Sequence, residues 1–191
     1  MTSDPTETAL LIIDAQESFR QRQNWFETDY ATYLANQKRL IEGAIAAGHK
    51  VVRVLHLEPE GIFSKASGFV RPLAELADLH VDAEFIKTRH SALVGSGLDV
   101  WLTENGIRRL IVSGIRTEQC CETTTRHASD LGWRVDYVTE ATHTMALTDA
   151  TGRTWSVEDL KARTAAVLDG RFARVCTIAE ALELAPKAAA A

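Results

Sequence analysis

The chain has 191 residues, 46% hydrophobic and 25% charged, with a formal net charge of −5. That length can bury a core without disulfide or metal staples, and the composition is that of a soluble globular protein. No Lys/Arg tract clusters as a nucleic-acid surface would require, and no apolar run approaches the ~20 residues that span a bilayer.

The opening Met1-Thr2-Ser3-Asp4-Pro5-Thr6-Glu7 is polar and acidic, the wrong chemistry for a signal peptide. Thr8–Ile13 is a nearly continuous apolar run closed by Asp14, which reads as a strand buried on both faces. Residues 30–47 carry Leu34, Leu40, Ile41, Ala44 and Ile45 at helical spacing, and Gly48 supplies the stop. Residues 51–57 form a second strand rich in β-branched side chains. Arg71-Pro72 starts a short helix, and residues 84–87 make a brief third strand. Gly95-Ser96-Gly97 lacks the third glycine of a dinucleotide loop and reads as the turn before a helix through Val100-Trp101-Leu102.

A fourth strand, residues 110–113, runs through a glycine turn into a helix that ends near Leu131-Gly132. Residues 134–138 are a fifth strand, Val157–Leu168 a helix and residues 174–178 a sixth strand; the tail 186–191 is expected to fray. This alternation implies an α/β fold. We expect a three-layer α-β-α sandwich on a six-stranded, mainly parallel, doubly wound (Rossmann-like) sheet, in one domain spanning 8–185 with tails at 1–7 and 186–191. The site of such a sheet lies beyond the carboxyl ends of its strands, where strand order reverses.

Three residues stand at those ends: Asp14, Lys87 and Cys120. A thiol in the first turn of a helix faces the positive end of the macrodipole and free N–H groups, so a lowered thiol pKa is expected at Cys120. With a carboxylate base and a cation beside it, the thiol has the parts for covalent hydrolysis. Cys121 shares a small-residue face with Thr124, Thr125, Ala128 and Gly132 and reads as core, and Cys176 reads as structural. Three cysteines, two of them adjacent, make a poor disulfide framework and point to a reducing, cytoplasmic compartment.

Three motifs resemble one family. Asp14-Ala15-Gln16-Glu17-Ser18-Phe19 is similar to D-x-Q-x-x-F, Lys87-Thr88-Arg89-His90-Ser91-Ala92-Leu93 to K-x-x-x-S-A-[FL], and Gly114-Ile115-Arg116-Thr117-Glu118-Gln119-Cys120 to G-[VIL]-x-T-x-x-C. In this order and on these elements they resemble the isochorismatase-like cysteine hydrolases, over roughly residues 8–180. The resemblance implies a catalytic triad of Asp14, Lys87 and Cys120. It also implies a cis peptide at Ile115-Arg116, with the amides of Arg116 and Cys120 facing an oxyanion. Substrate contacts are expected at Gln16, Phe19, Trp25 and His56. Nicotinamidases of the family carry an Asp/His/His metal set after the second strand, whereas His56-Leu57-Glu58-Pro59-Glu60-Gly61 offers one histidine. A metal-free, cofactor-free member is therefore expected.

The reaction expected is C–N cleavage of a small amide or carbamoyl substrate. If the Arg116 side chain enters the pocket, it suits a carboxylate, and vinyl-ether hydrolysis of an isochorismate-like acid is the alternative. A non-catalytic ligand-binding or scaffold protein of the same fold is the rival class. The resemblance further implies a homo-oligomer, dimer or tetramer, with the aromatic loops around Trp25 and Trp155 as candidate contacts.

Overall fold

The computed structural model describes residues 5–25 and 30–183. Among the described residues the strands are β1 (Thr8–Ile13), β2 (Lys50–His56), β3 (Ala83–Lys87), β4 (Arg109–Ile115), β5 (Arg134–His143), β6 (Leu147–Thr148), β7 (Thr154–Trp155) and β8 (Arg174–Val175). The helices are α1 (Glu17–Arg20), α2 (Tyr30–Ala46), α3 (Leu98–Glu104), α4 (Glu122–Asp130), α5 (Val157–Leu168) and α6 (Ile178–Ala181).

Every residue of β1 is buried, because it is the inner strand of a parallel sheet ordered β3-β2-β1-β4-β5-β8. Its side chains alternate between two cores, as a period of two requires. Leu10 and Ile12 pack with Leu40, Ile41 and Ala44 of α2 and with Ile178 of α6. Leu11 and Ile13 pack with Leu98 and Leu102 of α3, Ala128 of α4 and Leu168 of α5. The three layers follow directly.

Several expected boundaries shift. The sixth strand stops at Val175, because the Thr177 hydroxyl accepts a hydrogen bond from the Glu180 amide and the Glu180 carboxylate accepts one from the Thr177 amide, starting α6. The stretch after Pro72 holds only a three-residue 3-10 turn, Ala74–Leu76. β5 runs five residues past Val138, with a register shift against β4, and the β6–β7 hairpin lies outside the alternating pattern. Ile45 faces solvent; buried Gln37 takes an inward position of α2 and donates to Ser113 Oγ at 3.0 Å. Pro5–Glu7, expected as tail, make a 3-10 turn whose Glu7 carbonyl accepts from the Arg108 amide at 2.8 Å. The expected tail 186–191 lies outside the described residues.

Strand order reverses at β1, with β2 on one side and β4 on the other. Two backbone features shape the exits there. Asp14 has φ 52, a left-handed conformation that Asp tolerates better than most residues. Gly114, φ 121, pairs in register with Ile13, and a Cβ there would run into the Ile13 backbone, so only glycine fits.

Candidate active site

Asp14 leaves β1, His56 ends β2 and Lys87 ends β3, all on the carboxyl edge of the sheet. β3 is two strands from β1, roughly 10 Å at the usual spacing. A lysine is long enough to cross that gap. Lys87 pairs in register with His56, passes its ring at Nδ1 (3.0 Å) and reaches Asp14 Oδ2 at 2.8 Å.

Cys120 comes from the other side of the switch point. Beyond β4 the Ile115–Arg116 peptide is cis, and Thr117–Cys121 form one wide π-type turn closed by the Cys121 amide on the Arg116 carbonyl (3.2 Å). Such turns recur at functional sites. The turn carries the Cys120 thiol to 3.4 Å from Lys87 Nζ, so Asp14, Lys87 and Cys120 form one cluster, each side chain nearly sealed from solvent.

The polar geometry is asymmetric. The Lys87 ammonium has three N–H bonds, directed at His56 Nδ1, the Arg89 carbonyl (3.1 Å) and Cys120 Sγ. Asp14 Oδ2 lies 2.8 Å from the ammonium as its charged partner, and both Lys87 and Cys120 bear on the carboxylate. A carboxylate sealed from water loses the solvation that favours its charged form. Burial raises its pKa, with Lys87 opposing. Burial also works against charge on Lys87, but Asp14 and Cys120 outweigh it and keep the ammonium charged.

At Cys120 the structure corrects the sequence expectation. Its thiol is pushed up to about 12, first by burial and then by Asp14, with Lys87 opposing. That direction favours the protonated thiol in the resting site. Cys121 is fully buried in the core beneath α4 and Cys176 is half-buried beyond β8.

The expected contact residues divide. His56 is nearly buried with both ring nitrogens engaged: Nδ1 faces Lys87 and Nε2 faces Glu58 Oε1 at 3.3 Å. Accepting from Lys87 at Nδ1 puts the proton on Nε2, and burial followed by Lys87 lowers the ring's pKa, which keeps it neutral. His56 braces Lys87.

Gln16 spans β1 and β2: its Nε2 donates to the His56 carbonyl (3.1 Å) and its Oε1 accepts from the His56 amide (2.7 Å). That amide is a clamp between strands, not a free substrate contact. Phe19 lies in α1, edge-on to Phe63 at 4.9 Å, and both belong to the core under α2. Trp25 is buried in the same core against His143, so it is not an aromatic surface for a neighbouring subunit. Arg116 does not offer a free guanidinium: Nε lies 3.1 Å from both Thr144 Oγ1 and Glu118 Oε1, and an Nη donates to the Met145 carbonyl at 2.7 Å.

His90 was not singled out from the sequence. Its Nδ1 stands 3.9 Å from Cys120 Sγ. The signal was its place between Lys87 and Ser91, a position the motif leaves open. Among the described residues no three His, Cys, Asp or Glu side chains converge as a metal site, and no helix is long and apolar enough to cross a membrane.

With the geometry in place, known proteins give the site its class. The isochorismatase domain family matches residues 8–172. The isochorismatase family protein YrdC of Bacillus subtilis is 26% identical, over 88% of this chain and 91% of its own length. A ureidoacrylate amidohydrolase, RutB, of Serratia proteamaculans is 25% identical, over 73% of this chain and 71% of its own. A cysteine hydrolase from Pseudomonas syringae pv. phaseolicola superposes with a TM-score of 0.86 over 96% of this chain and 94% of its own; at 22% identity it speaks for the fold alone. An isochorismatase from Pseudomonas putida, 26% identical, gives 0.79 over 94% of this chain and 92% of its own. These likenesses define a hydrolase built on a three-layer α/β fold. More particularly, the chain belongs to the isochorismatase family.

Proposed function

We propose that the chain is a metal-independent cysteine hydrolase that cleaves a C–N bond of a small amide or carbamoyl substrate through a thioester on Cys120. The observation that carries this reading is the buried Asp14 carboxylate 2.8 Å from the Lys87 ammonium, with the Cys120 sulfur 3.4 Å from that same ammonium. Asp14 takes the thiol proton and the sulfur adds to the substrate carbonyl. Lys87 holds the thiolate and the developing negative charge. The resemblance assigns the backbone amides of Arg116 and Cys120 to the oxyanion, and a lost donor at such a site costs about 3–4 kcal/mol. Protonated Asp14 then donates to the leaving nitrogen, and water releases the acyl group.

Amide chemistry is favoured over vinyl-ether hydrolysis by the engagement of Arg116, which leaves its Nε and one Nη occupied within the protein. RutB, named an amidohydrolase, and an Arabidopsis nicotinamidase matching 58 residues at 41% identity support the same direction. The test is mass spectrometry of the protein with amide and carbamoyl substrates, alongside assays for released ammonia and pyruvate. An acyl adduct on Cys120 with ammonia released is expected. Full turnover in Cys120→Ser, or an adduct elsewhere, overturns the reading; pyruvate release from isochorismate turns it to the vinyl-ether reaction.

A cytoplasmic location and a homo-oligomeric state complete the proposal. Three free cysteines support the first. For the second, the β6–β7 hairpin presents exposed Leu147 beside Trp155, whose ring carries Arg153 at 3.9 Å. Light scattering at micromolar concentration should give a dimer or tetramer, and a strictly monomeric mass overturns it.

A further inference from the structure

His90 stands 3.9 Å from the Cys120 sulfur and is exposed, whereas Asp14 is sealed. Its side chain is exposed, and its ring lies parallel to that of His56, with centroids 6.4 Å apart and planes 8° from coplanar. Exposure usually means freedom, but here the backbone is tied on both sides. Before His90, the Arg89 carbonyl accepts from Lys87 Nζ. After it, Ser91 Oγ bonds His127 Nδ1 at 2.8 Å and the Ala92 amide donates to Thr124 Oγ1 at 3.0 Å. The imidazole is thereby held over the sulfur while keeping access to bulk water.

Hydrolysis through a thioester has two halves with opposite needs. The first moves a proton from a buried thiol, which Asp14 can accept on the sealed side. The second needs a water from solvent, after the acyl group has covered the sulfur. Asp14, its side chain 1% exposed, does not meet bulk water. A base for that water has to stand on the open side, within about one water of the acyl carbon. The 3.9 Å between Nδ1 and Sγ is that interval.

We propose that His90 is the general base for the water that releases the acyl group from Cys120, leaving Asp14 to handle only the thiol and leaving-group protons; this rests on the thioester reading above. Neutral His90 removes a proton from water, and the oxygen bonds to the acyl carbon. The C–S bond breaks with its electron pair on sulfur, and the Cys120 thiolate recovers the proton from the imidazolium. The products are a carboxylic acid and the resting thiol.

The test uses p-nitrophenyl acetate, whose acyl transfer releases a coloured phenolate. Wild type, His90→Gln, His90→Ala and Cys120→Ala are compared by burst kinetics and by intact mass of the acetyl-enzyme. The expected result is an unchanged burst in both His90 variants with an acetyl-Cys120 lifetime about 10²-fold or more longer, the lower end of what a positioned base contributes. Added imidazole should shorten that lifetime in His90→Ala, with imidazole and Cys120→Ala as the blank. A lifetime close to wild type overturns the proposal and leaves the cysteine hydrolase intact. So does a burst that falls together with turnover and is not rescued, which would make His90 a substrate-positioning residue. No acetyl group on Cys120 in the wild type, or a full burst from Cys120→Ala, refutes the thioester reading and the proposal with it.

Discussion

Asp14 and Asp136 are buried aspartates at opposite ends of one sheet, each against one buried cation, and they are wired in opposite ways. Asp136, near the start of β5, accepts from Nε (2.8 Å) and Nη2 of Arg109 and from Nε (2.8 Å) and Nη2 (2.9 Å) of Arg174. Arg109 goes on to Glu183 (2.7 Å) and the Ala181 carbonyl (2.8 Å), tying β4 to β5 and the C-terminal segment. Arg174 is held even more firmly protonated by those hydrogen bonds to Asp136. Arginine forks fill carboxylate lone pairs at fixed angles, whereas a lysine is a point charge that leaves them open. The saturated carboxylate of Asp136 fastens strands; Asp14, with Lys87 and Cys120 at the open carboxyl edge, is the group proposed to move a proton.

The largest expected effect breaks the open end. Asp14→Asn should lower turnover by about 10²–10⁴-fold, and Cys120→Ser by at least as much. The asparagine variant should also lower the Cys120 pKa, because Asp14 is the largest cause raising it after burial and Lys87 would then pair with thiolate. Ultraviolet titration of thiolate checks this, and a midpoint as high as in wild type would sink the assignment of Asp14 as the thiol's proton acceptor. Losses in Lys87→Ala and Asp14→Asn should not add, since the groups act as a unit.

Breaking the saturated end should affect stability instead. Asp136→Ala leaves nearly buried Arg109 without its main partner, which should cost roughly 3 kcal/mol, the low end for an orphaned buried charge, because Glu183 still contacts it. Urea unfolding reads this, with kcat of the folded fraction unchanged. A fall in kcat with stability intact would erase the distinction between the two ends.

Two smaller effects sharpen it. Cys121→Ser buries a hydroxyl in an apolar core and should cost about 1–3 kcal/mol while leaving chemistry alone. The Cys120 thiol is raised in the folded state from an ordinary value of 9.0 to about 12, so between those values the folded state binds the proton more tightly than the unfolded chain. Stability tied to this group is complete below pH 9 and declines as pH rises toward 12. The urea midpoint of wild type should fall more steeply over that range than that of Cys120→Ser; equal slopes would count against a sealed thiol. Smallest of all, exhaustive chelation should leave activity unchanged, and loss of activity with a stoichiometric metal would reject the metal-free reading.

Taken one at a time, the site residues were legible to different depths. Singly, Asp14 and Lys87 read as an ordinary turn carboxylate and a surface lysine, and only their occurrence together with the Cys120 motif, each at the end of an extended segment, pointed to a site. The layers were legible because a strand buried on both faces has no polar alternation and a helix on a sheet repeats every 3.6 residues. The sequence by itself thus determined which residues end strands on the carboxyl edge, and so which could meet at the switch point.

Only the tertiary structure decided how they meet. The direction of the Cys120 pKa could not be read from helix position, because burial by neighbours distant in sequence and the charge of Asp14 outweigh a local dipole. Gln16 and His56 looked like substrate contacts from their place at strand ends, yet their polar atoms face each other's strand and Lys87. His90, silent in the motif, lies against the sulfur because anchors at Arg89, Ser91 and Ala92 fold its loop back over the edge. Hydrogen-bond partners and desolvation are sums over residues brought together from across the chain, so a pattern of near neighbours cannot carry them.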